Sequence, residues 1–373
     1  MPSTDTIRPQ RGHARRKLHV LGSPYFRYRH AKFLHGVRVS LAFLASIALT
    51  SGIHIPHGEW ATVTLMVVIG GLQHYGNIRK KAAERALGTM LGATFGLSLI
   101  LLQELTRSSM VTYVLMALIA GGCAYCAIGR AGYIALLTGI TMVIVAGHGD
   151  LPIDVGLWRT LTVMIGIAIA LAFSFVLPQY ATYSWRYRLA DNLRESAGVY
   201  SAVLEGRPIP AETLTKRFRT MSARLVALRS LLPSVAKEID VPVAQLEEIQ
   251  RLHRSILSAL EMMATALLPD ASGNPPAPAA SEYSDERAVR HTLLLMARAL
   301  RFGRVGLLHV PTGSPEAAAR LKHTATLATE CAPELQGPYW LAQRLAEQVD
   351  RLRLRLIDIE HKWNIEGAQP FHR

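Results

Sequence analysis

Apolar residues are distributed unevenly along the 373 residues of the chain. Between Phe33 and Pro178 they form long runs broken by short polar loops, whereas after Tyr180 charged residues return at helical spacing. A helix that crosses the roughly 30 Å hydrocarbon core of a bilayer needs about 20 mostly apolar residues. The pattern therefore predicts six transmembrane helices, at residues 34–53, 60–75, 87–103, 110–128, 132–148 and 157–177.

The second half of the chain has the pattern of amphipathic helices. Heptad-like leucine and isoleucine spacing between Leu225 and Leu260 favours an antiparallel helical bundle. Helices are predicted near residues 181–205, 211–232, 242–268, 284–309, 315–330 and 338–362, and the proline-rich residues 269–281 are predicted to form a flexible linker. We expect an all-α membrane protein with a basic cytoplasmic segment at 1–32, a six-helix transmembrane domain at 33–179 and a cytoplasmic helical bundle at 180–373.

The net charge of +14 is concentrated beside the predicted spans. One set of loops contains Arg79, Lys80, Arg130 and Arg186, whereas the alternate loops are mostly acidic. Positive loops are retained on the cytoplasmic side, so both termini are expected to be cytoplasmic in a bacterial inner membrane. The basic charge therefore indicates membrane lipid rather than nucleic acid as a partner. A soluble protein with buried helices would instead show amphipathic stripes throughout, which these apolar runs do not.

The transmembrane half contains a weak internal repeat. A shift of 74 positions aligns eight identical residues over 37 positions, among them Arg85 with Arg159, His74 with His148 and Gly92 with Gly166. About two identities are expected by chance. Spans one to three would then repeat as spans four to six in inverted orientation, as in many secondary transporters. Compositional similarity between apolar helices is the alternative explanation.

Glycines punctuate several of the predicted spans. In the third span Gly88, Gly92 and Gly96 recur every four residues and form a small-residue face for close helix packing, within the chain or across a dimer. Spans two and five, which are equivalent under the repeat, are both short and interrupted by glycine, at Gly70 with Gly71 and at Gly139 and Gly147. Such interrupted helices point to a substrate path.

The pattern formed by Trp60, Arg79, Lys80 and Arg85 with the glycine face resembles the fusaric acid resistance and aromatic acid exporter proteins. The resemblance covers about residues 33–180 and weakens in the second half. It implies six spans followed by a cytoplasmic helical domain, and export of aromatic carboxylates or similar organic anions. Many members carry this unit twice, so a single unit implies a homodimer. The family also raises a periplasmic adaptor protein as a partner.

An organic anion in a bilayer needs cations that replace its hydration. The candidate substrate-binding residues are Arg85, Arg159, Arg79, Lys80, Arg38 and Trp60. Arg85 and Arg159 are favoured because they occupy matching repeat positions at span edges. For Arg79 and Lys80 the alternative is a purely topological role, and Arg38 could extend its charge to the membrane interface.

Proton coupling is a weaker hypothesis. His74 and His148 are the candidates, because an imidazole can shuttle protons near neutral pH, but each is predicted at an interface where histidine is tolerated. We expect no metal site at His54 and His57, because a proline-bearing loop does not present ligands on one face. No phosphate-binding loop motif is present, and no cofactor is expected.

The sequence thus favours a gradient-driven exporter of aromatic or other organic acids, working as a homodimer. A passive organic-anion channel and a membrane-anchored scaffold or regulator are the alternatives. No acidic pair, nucleophile with a base or zinc motif lies in the spans, so an enzyme is not expected.

Overall fold

The computed structural model describes residues 24–69, 75–129, 131–148, 151–175, 180–267, 284–310 and 333–365, with the backbone alone at 75–82, 267, 284–286, 333–336 and 338–339. All regular secondary structure in these ranges is helical. The chain divides into two compact units, an N-terminal unit at Met1–Gln179 and a C-terminal unit at Tyr180–Arg373.

The N-terminal unit has an apolar helix for each of the six predicted spans. Its helices are α1 (Pro24–Arg29), α2 (Ala31–Gly52), α3 (Glu59–Ile69), α4 (Tyr75–Thr106), α5 (Ser109–Ala127), α6 (Gly132–Ala146) and α7 (Ile153–Phe175). Four segments are long and apolar enough to cross a membrane: α2, residues Ala83–Thr106 of α4, α5 and α7. The structure therefore supports four membrane spans, and the number of six stays a prediction.

The described parts of helices α3 and α6 are shorter than their predicted spans, and residues 70–74, directly after α3, lie outside the described residues. They contain 11 and 15 residues, which at 1.5 Å per residue gives lengths of about 16 and 22 Å. Neither reaches the roughly 30 Å thickness of a hydrocarbon core. Helix α4, in contrast, begins at Tyr75, some three turns before the predicted residue 87, because its polar start continues the helix outside the apolar segment.

Packing in the N-terminal unit pairs each short helix with a long one. Helix α6 packs mainly against α4, and α3 packs mainly against α7 and α2. Leu65, Val68, Val163 and Ile167 form the core between α3 and α7. Large apolar side chains of α5 instead point outward, as a helix surrounded by lipid requires; examples are Met110, Leu118 and Tyr125.

The C-terminal unit is built around one hydrophobic core. Its helices are α8 (Ala181–Leu204), α9 (Ala211–Ile239), α10 (Val243–Leu267), α11 (Ser284–Phe302), α12 (Pro333–Asp358) and α13 (Glu360–Trp363), with a 3-10 turn at Val305–Leu308. Trp185, Leu228, Ile256, Leu352 and Trp363 are fully buried in this core. The predicted linker at 269–281 and the predicted helix at 315–330 lie outside the described residues.

Two predicted boundaries in the C-terminal unit were wrong. Helix α9 passes through Pro233 and ends at Ile239, because Leu232, Val235 and Ile239 stay buried in the core on both sides of the proline. The helix predicted at 284–309 ends at Phe302, where Gly303 takes a left-handed conformation with φ +66°.

Candidate functional site

Arg85 connects the start of α6 with the end of α3. The side chain is 6% exposed. Its Nε donates a hydrogen bond to the Tyr133 hydroxyl, and its Nη2 donates to the Val67 carbonyl oxygen at 3.3 Å. The guanidinium carbon also lies 5.4 Å from the centre of the Tyr133 ring. An arginine held against an aromatic face in this way is stabilised by the ring as well as by its hydrogen bonds.

Arg159 connects the start of α3 with the end of α6. Its Nη1 donates to the Ile144 carbonyl oxygen at 3.0 Å, and its guanidinium carbon lies 5.5 Å from the centre of the Trp60 ring. The Nε of Arg159 is buried and has no hydrogen-bond partner within the described residues. An unsatisfied buried donor costs free energy unless something else accepts its hydrogen bond.

The two arginines therefore have equivalent surroundings. Each contacts an aromatic residue at the start of one short helix and a backbone carbonyl near the end of the other. It follows that α3 and α6 run in opposite directions, with one arginine at each end of the pair. The two aromatic residues, Trp60 and Tyr133, are 73 positions apart, one less than the sequence repeat of 74.

Glycines bring the long helices close to the short ones. A Cβ atom added at Gly92 would lie 2.5 Å from the Thr138 carbonyl oxygen, and one at Gly88 would lie 2.8 Å from that of Ile134. A Cβ atom added at Gly96 would lie 2.8 Å from the Cβ atom of Val145. The glycine face of α4 therefore lies against α6 of the same chain. The repeat-equivalent Gly166 of α7 lies against the backbone of Ala61 in α3. These contacts position α4 and α7, and with them Arg85 and Arg159.

Arg38 is buried, as Arg85 is. It lies two turns into α2, is 5% exposed, and one of its Nη atoms lies 2.8 Å from His35 Nδ1. Because arginine only donates hydrogen bonds, His35 accepts this one. Arg38 Nε has no partner within the described residues. Arg38 shares its buried face of α2 with Ala42 and Ser46, so its side chain packs against the N-terminal unit.

The remaining candidates are less well placed. Arg79 and Lys80 belong to the first turns of α4, where only the backbone is described. His74 lies outside the described residues, and His148 is exposed just after α6. Within the part of the chain that the structure describes, no group of three or more His, Cys, Asp or Glu side chains could hold a metal ion.

The electrostatic character of the site is cationic. Among the described residues no carboxylate lies within ion-pair distance of Arg38, Arg85 or Arg159. Holding a cation in an apolar unit without a countercharge is energetically costly. Such an arrangement can attract an anion with an aromatic ring, because the guanidinium would bind its charge and Trp60 or Tyr133 would contact its ring.

Two comparisons with known proteins identify the family of this chain. Residues 32–363 match the model of the fusaric acid resistance protein family. The chain belongs to this family. It is also similar to the inner membrane protein YeeA of Escherichia coli K12, with 32% identity over 239 residues, covering 64% of this chain and 67% of that protein. The family match extends to residue 363, beyond residues 33–180 that carried the resemblance, and so includes most of the C-terminal unit.

Sequence reasoning missed the partners of the two arginines. Tyr133 and the carbonyls of Val67 and Ile144 are contacts between helices far apart in sequence. A signal for Tyr133 was present, since an aromatic residue follows the start of both short helices. The sequence alignment did not reveal this signal, because Trp60 and Tyr133 are 73 positions apart and the repeat aligns residues 74 positions apart.

Proposed function

We propose that this protein exports organic acids, including aromatic carboxylates, across the bacterial inner membrane. The observation that carries the proposal is the equivalent pair formed by Arg85 with Tyr133 and Arg159 with Trp60, with no carboxylate partner for either arginine among the residues that the structure describes. Membership of the fusaric acid resistance family supports transport as the activity. The location follows that of the relative, which is described as an inner membrane protein.

The proposed topology has six crossings arranged as an inverted 3+3 repeat, with both termini and the C-terminal helical bundle in the cytoplasm. The Arg85 cluster then lies toward the cytoplasm and the Arg159 cluster toward the outside. A carboxylate entering from the cytoplasm would bind Arg85 first and Arg159 later. Opening one end of the α3–α6 pair while the other stays closed would give alternating access.

The proposed working form is a homodimer. Helix α5 contributes little to the core of its own unit and exposes an apolar surface large enough for a second copy or for lipid. A periplasmic adaptor protein is a further proposed partner, based on the family alone.

The test is uptake of radiolabelled benzoate into inverted membrane vesicles, with and without an imposed proton gradient. Arg85→Gln and Arg159→Gln should each reduce the initial rate at least tenfold, because the anion loses a charged hydrogen-bond partner. Arg107→Gln is the matched control, since Arg107 is an exposed arginine in the loop between α4 and α5. Its rate should stay within twofold of the unmodified protein.

The outcomes separate three functions. Accumulation against the concentration gradient that is lost in both variants supports the exporter. Flux that only equilibrates benzoate would indicate a passive anion channel, and absence of flux for a panel of organic anions would favour a membrane-anchored scaffold.

A further inference from the structure

A cleft in the C-terminal unit lies between α8 and α11, on the surface of that unit. Its volume is about 360 Å³. Its floor is apolar and includes Leu294 and Ala297, and Phe302 stands beside it with 60% of its surface exposed. Small-molecule sites have volumes of roughly 300–1,000 Å³. The cleft is therefore large enough for a ligand with a single aromatic ring.

The charged residues around the cleft give it a positive balance. Arg194, Arg298 and Arg301 line it together with one acidic residue, Asp191. Arg301 forms a long ion pair with Asp191, with 4.0 Å between Arg301 Nη1 and Asp191 Oδ1. Three guanidinium groups against one carboxylate leave the cleft cationic, and guanidinium is the side chain best suited to bind a carboxylate through paired hydrogen bonds.

Asp191 is partly buried. Burial, with a smaller contribution from Glu195, raises the pKa of its carboxyl group and outweighs the opposing influence of Arg224, Arg301 and Arg194. A carboxylate in that position opposes the binding of a second negative charge. The cleft therefore combines an attractive set of arginines with one repulsive group that a substitution can remove.

We propose that this cleft binds an aromatic monocarboxylate, separately from the arginine clusters of the N-terminal unit. The apolar floor and the ring of Phe302 contact the ligand's ring, and the arginines hold its carboxylate. The ligand class coincides with that of the proposed cargo, but the assignment depends on the residues of the cleft alone. Binding here would let the C-terminal unit respond to the concentration of the anion.

The experiment uses full-length protein in detergent and 4-fluorobenzoate as the probe, followed by fluorine NMR titration. Arg85→Gln and Arg159→Gln are combined in the starting protein, so that binding in the N-terminal unit is weakened. In this background saturable binding should persist. Adding Arg298→Gln or Arg301→Gln should weaken it about tenfold, as expected for one charged hydrogen-bond partner.

Two further variants test the chemistry. Asp191→Asn should tighten binding several-fold, because it removes the repulsive charge while keeping the size of the side chain. Arg287→Gln, in an exposed part of α11 away from the cleft, should leave the affinity unchanged. 4-Fluorobenzyl alcohol, which keeps the ring but lacks the charge, should show no saturable binding.

The proposal is overturned if binding is absent in the starting protein, or if the Arg298 and Arg301 variants bind as tightly as it does. Equal binding of the neutral alcohol would also overturn it, because the cleft would then be only apolar. These results are independent of the flux experiment: vesicle transport failing while this binding persists would remove the proposed export function and leave the cleft assignment standing.

Discussion

Single side chains decide the chemistry of the N-terminal unit. Repeat positions in the sequence pointed to Arg85 and Arg159, but not to what they contact. Periodicity reports which face of a helix is apolar, whereas the Tyr133 hydroxyl reaches Arg85 from 48 positions away. The role of both arginines in substrate binding stays a prediction, and their aromatic partners offer a way to examine it.

We expect Tyr133→Phe to reduce the affinity for an aromatic carboxylate. The substitution keeps the ring and removes the hydroxyl that accepts the hydrogen bond of Arg85, so the guanidinium loses a positioning contact worth about 1–3 kcal/mol. The KM for benzoate in vesicle uptake should rise at least fivefold. Tyr113→Phe on the exposed side of α5 is the control and should not change KM. An unchanged KM in Tyr133→Phe would show that the hydroxyl does not position the site.

His253 gives the C-terminal unit a dependence on pH. Complete burial lowers the pKa of this histidine from 6.5 to about 3, and its Nε2 lies 3.2 Å from Asn192 Nδ2. Because the amide nitrogen only donates, the imidazole accepts this hydrogen bond and is neutral. The unfolded chain binds a proton more readily than the folded one, so the stabilising contribution is complete above about pH 6.5 and is lost as pH falls toward 3.

Acidification from pH 7.5 to 5.5 should therefore lower the free energy of unfolding by about 1.4 kcal/mol through His253 alone. The reason is that pH 5.5 lies about one unit below the ordinary pKa of histidine, and one unit corresponds to about 1.4 kcal/mol. Thermal unfolding of the detergent-solubilised protein measures this. In His253→Gln the acid-induced decrease in Tm should be smaller than in the unmodified protein. If both show the same decrease, other groups are responsible for the pH dependence.

At the scale of helices, the apolar pattern located α2 to α7 but not the short α1, and it misjudged helix boundaries. A sliding apolar run does not show that α6 ends at Ala146 or that the chain is already helical at Tyr75, because neither change alters mean hydropathy much. At Pro233 the error was to predict a helix end where the helix continues. Local propensity predicts a helix end there, but the buried residues on both sides keep α9 continuous.

The glycine face of α4 allows a test of helix packing. In Gly92→Ala the new methyl group would lie 2.5 Å from the Thr138 carbonyl oxygen, so α4 and α6 must separate. We expect a loss of stability of about 1–3 kcal/mol, the usual cost of overpacking, seen as a lower Tm. Gly122→Ala in α5 has no atom within 4 Å of the added Cβ and is the matched control. Its Tm should change little; equal effects in both variants would mean that close packing at Gly92 is unimportant.

The whole N-terminal unit poses the question of how often the chain crosses the bilayer. Four helices are long enough by themselves, and α3 and α6 are short. If α3 and α6 enter the membrane without crossing it, the chain crosses four times, and the C-terminus lies on the same side as in the six-span arrangement. The location of the termini therefore cannot distinguish the two topologies.

The loops on either side of α5 can distinguish them. With six crossings and a cytoplasmic N-terminus, a reporter inserted after Thr106 lies outside; with four crossings it lies inside. Six crossings also place Arg79 and Lys80 in the cytoplasm, as the positive-inside rule requires, whereas four crossings place them outside. We therefore expect alkaline phosphatase to be active when fused after Thr106 and inactive when fused after Gly129. The reverse result would establish four crossings. Helices α3 and α6 would then not span the membrane, and the two arginine clusters at the ends of this pair would not face opposite sides of it.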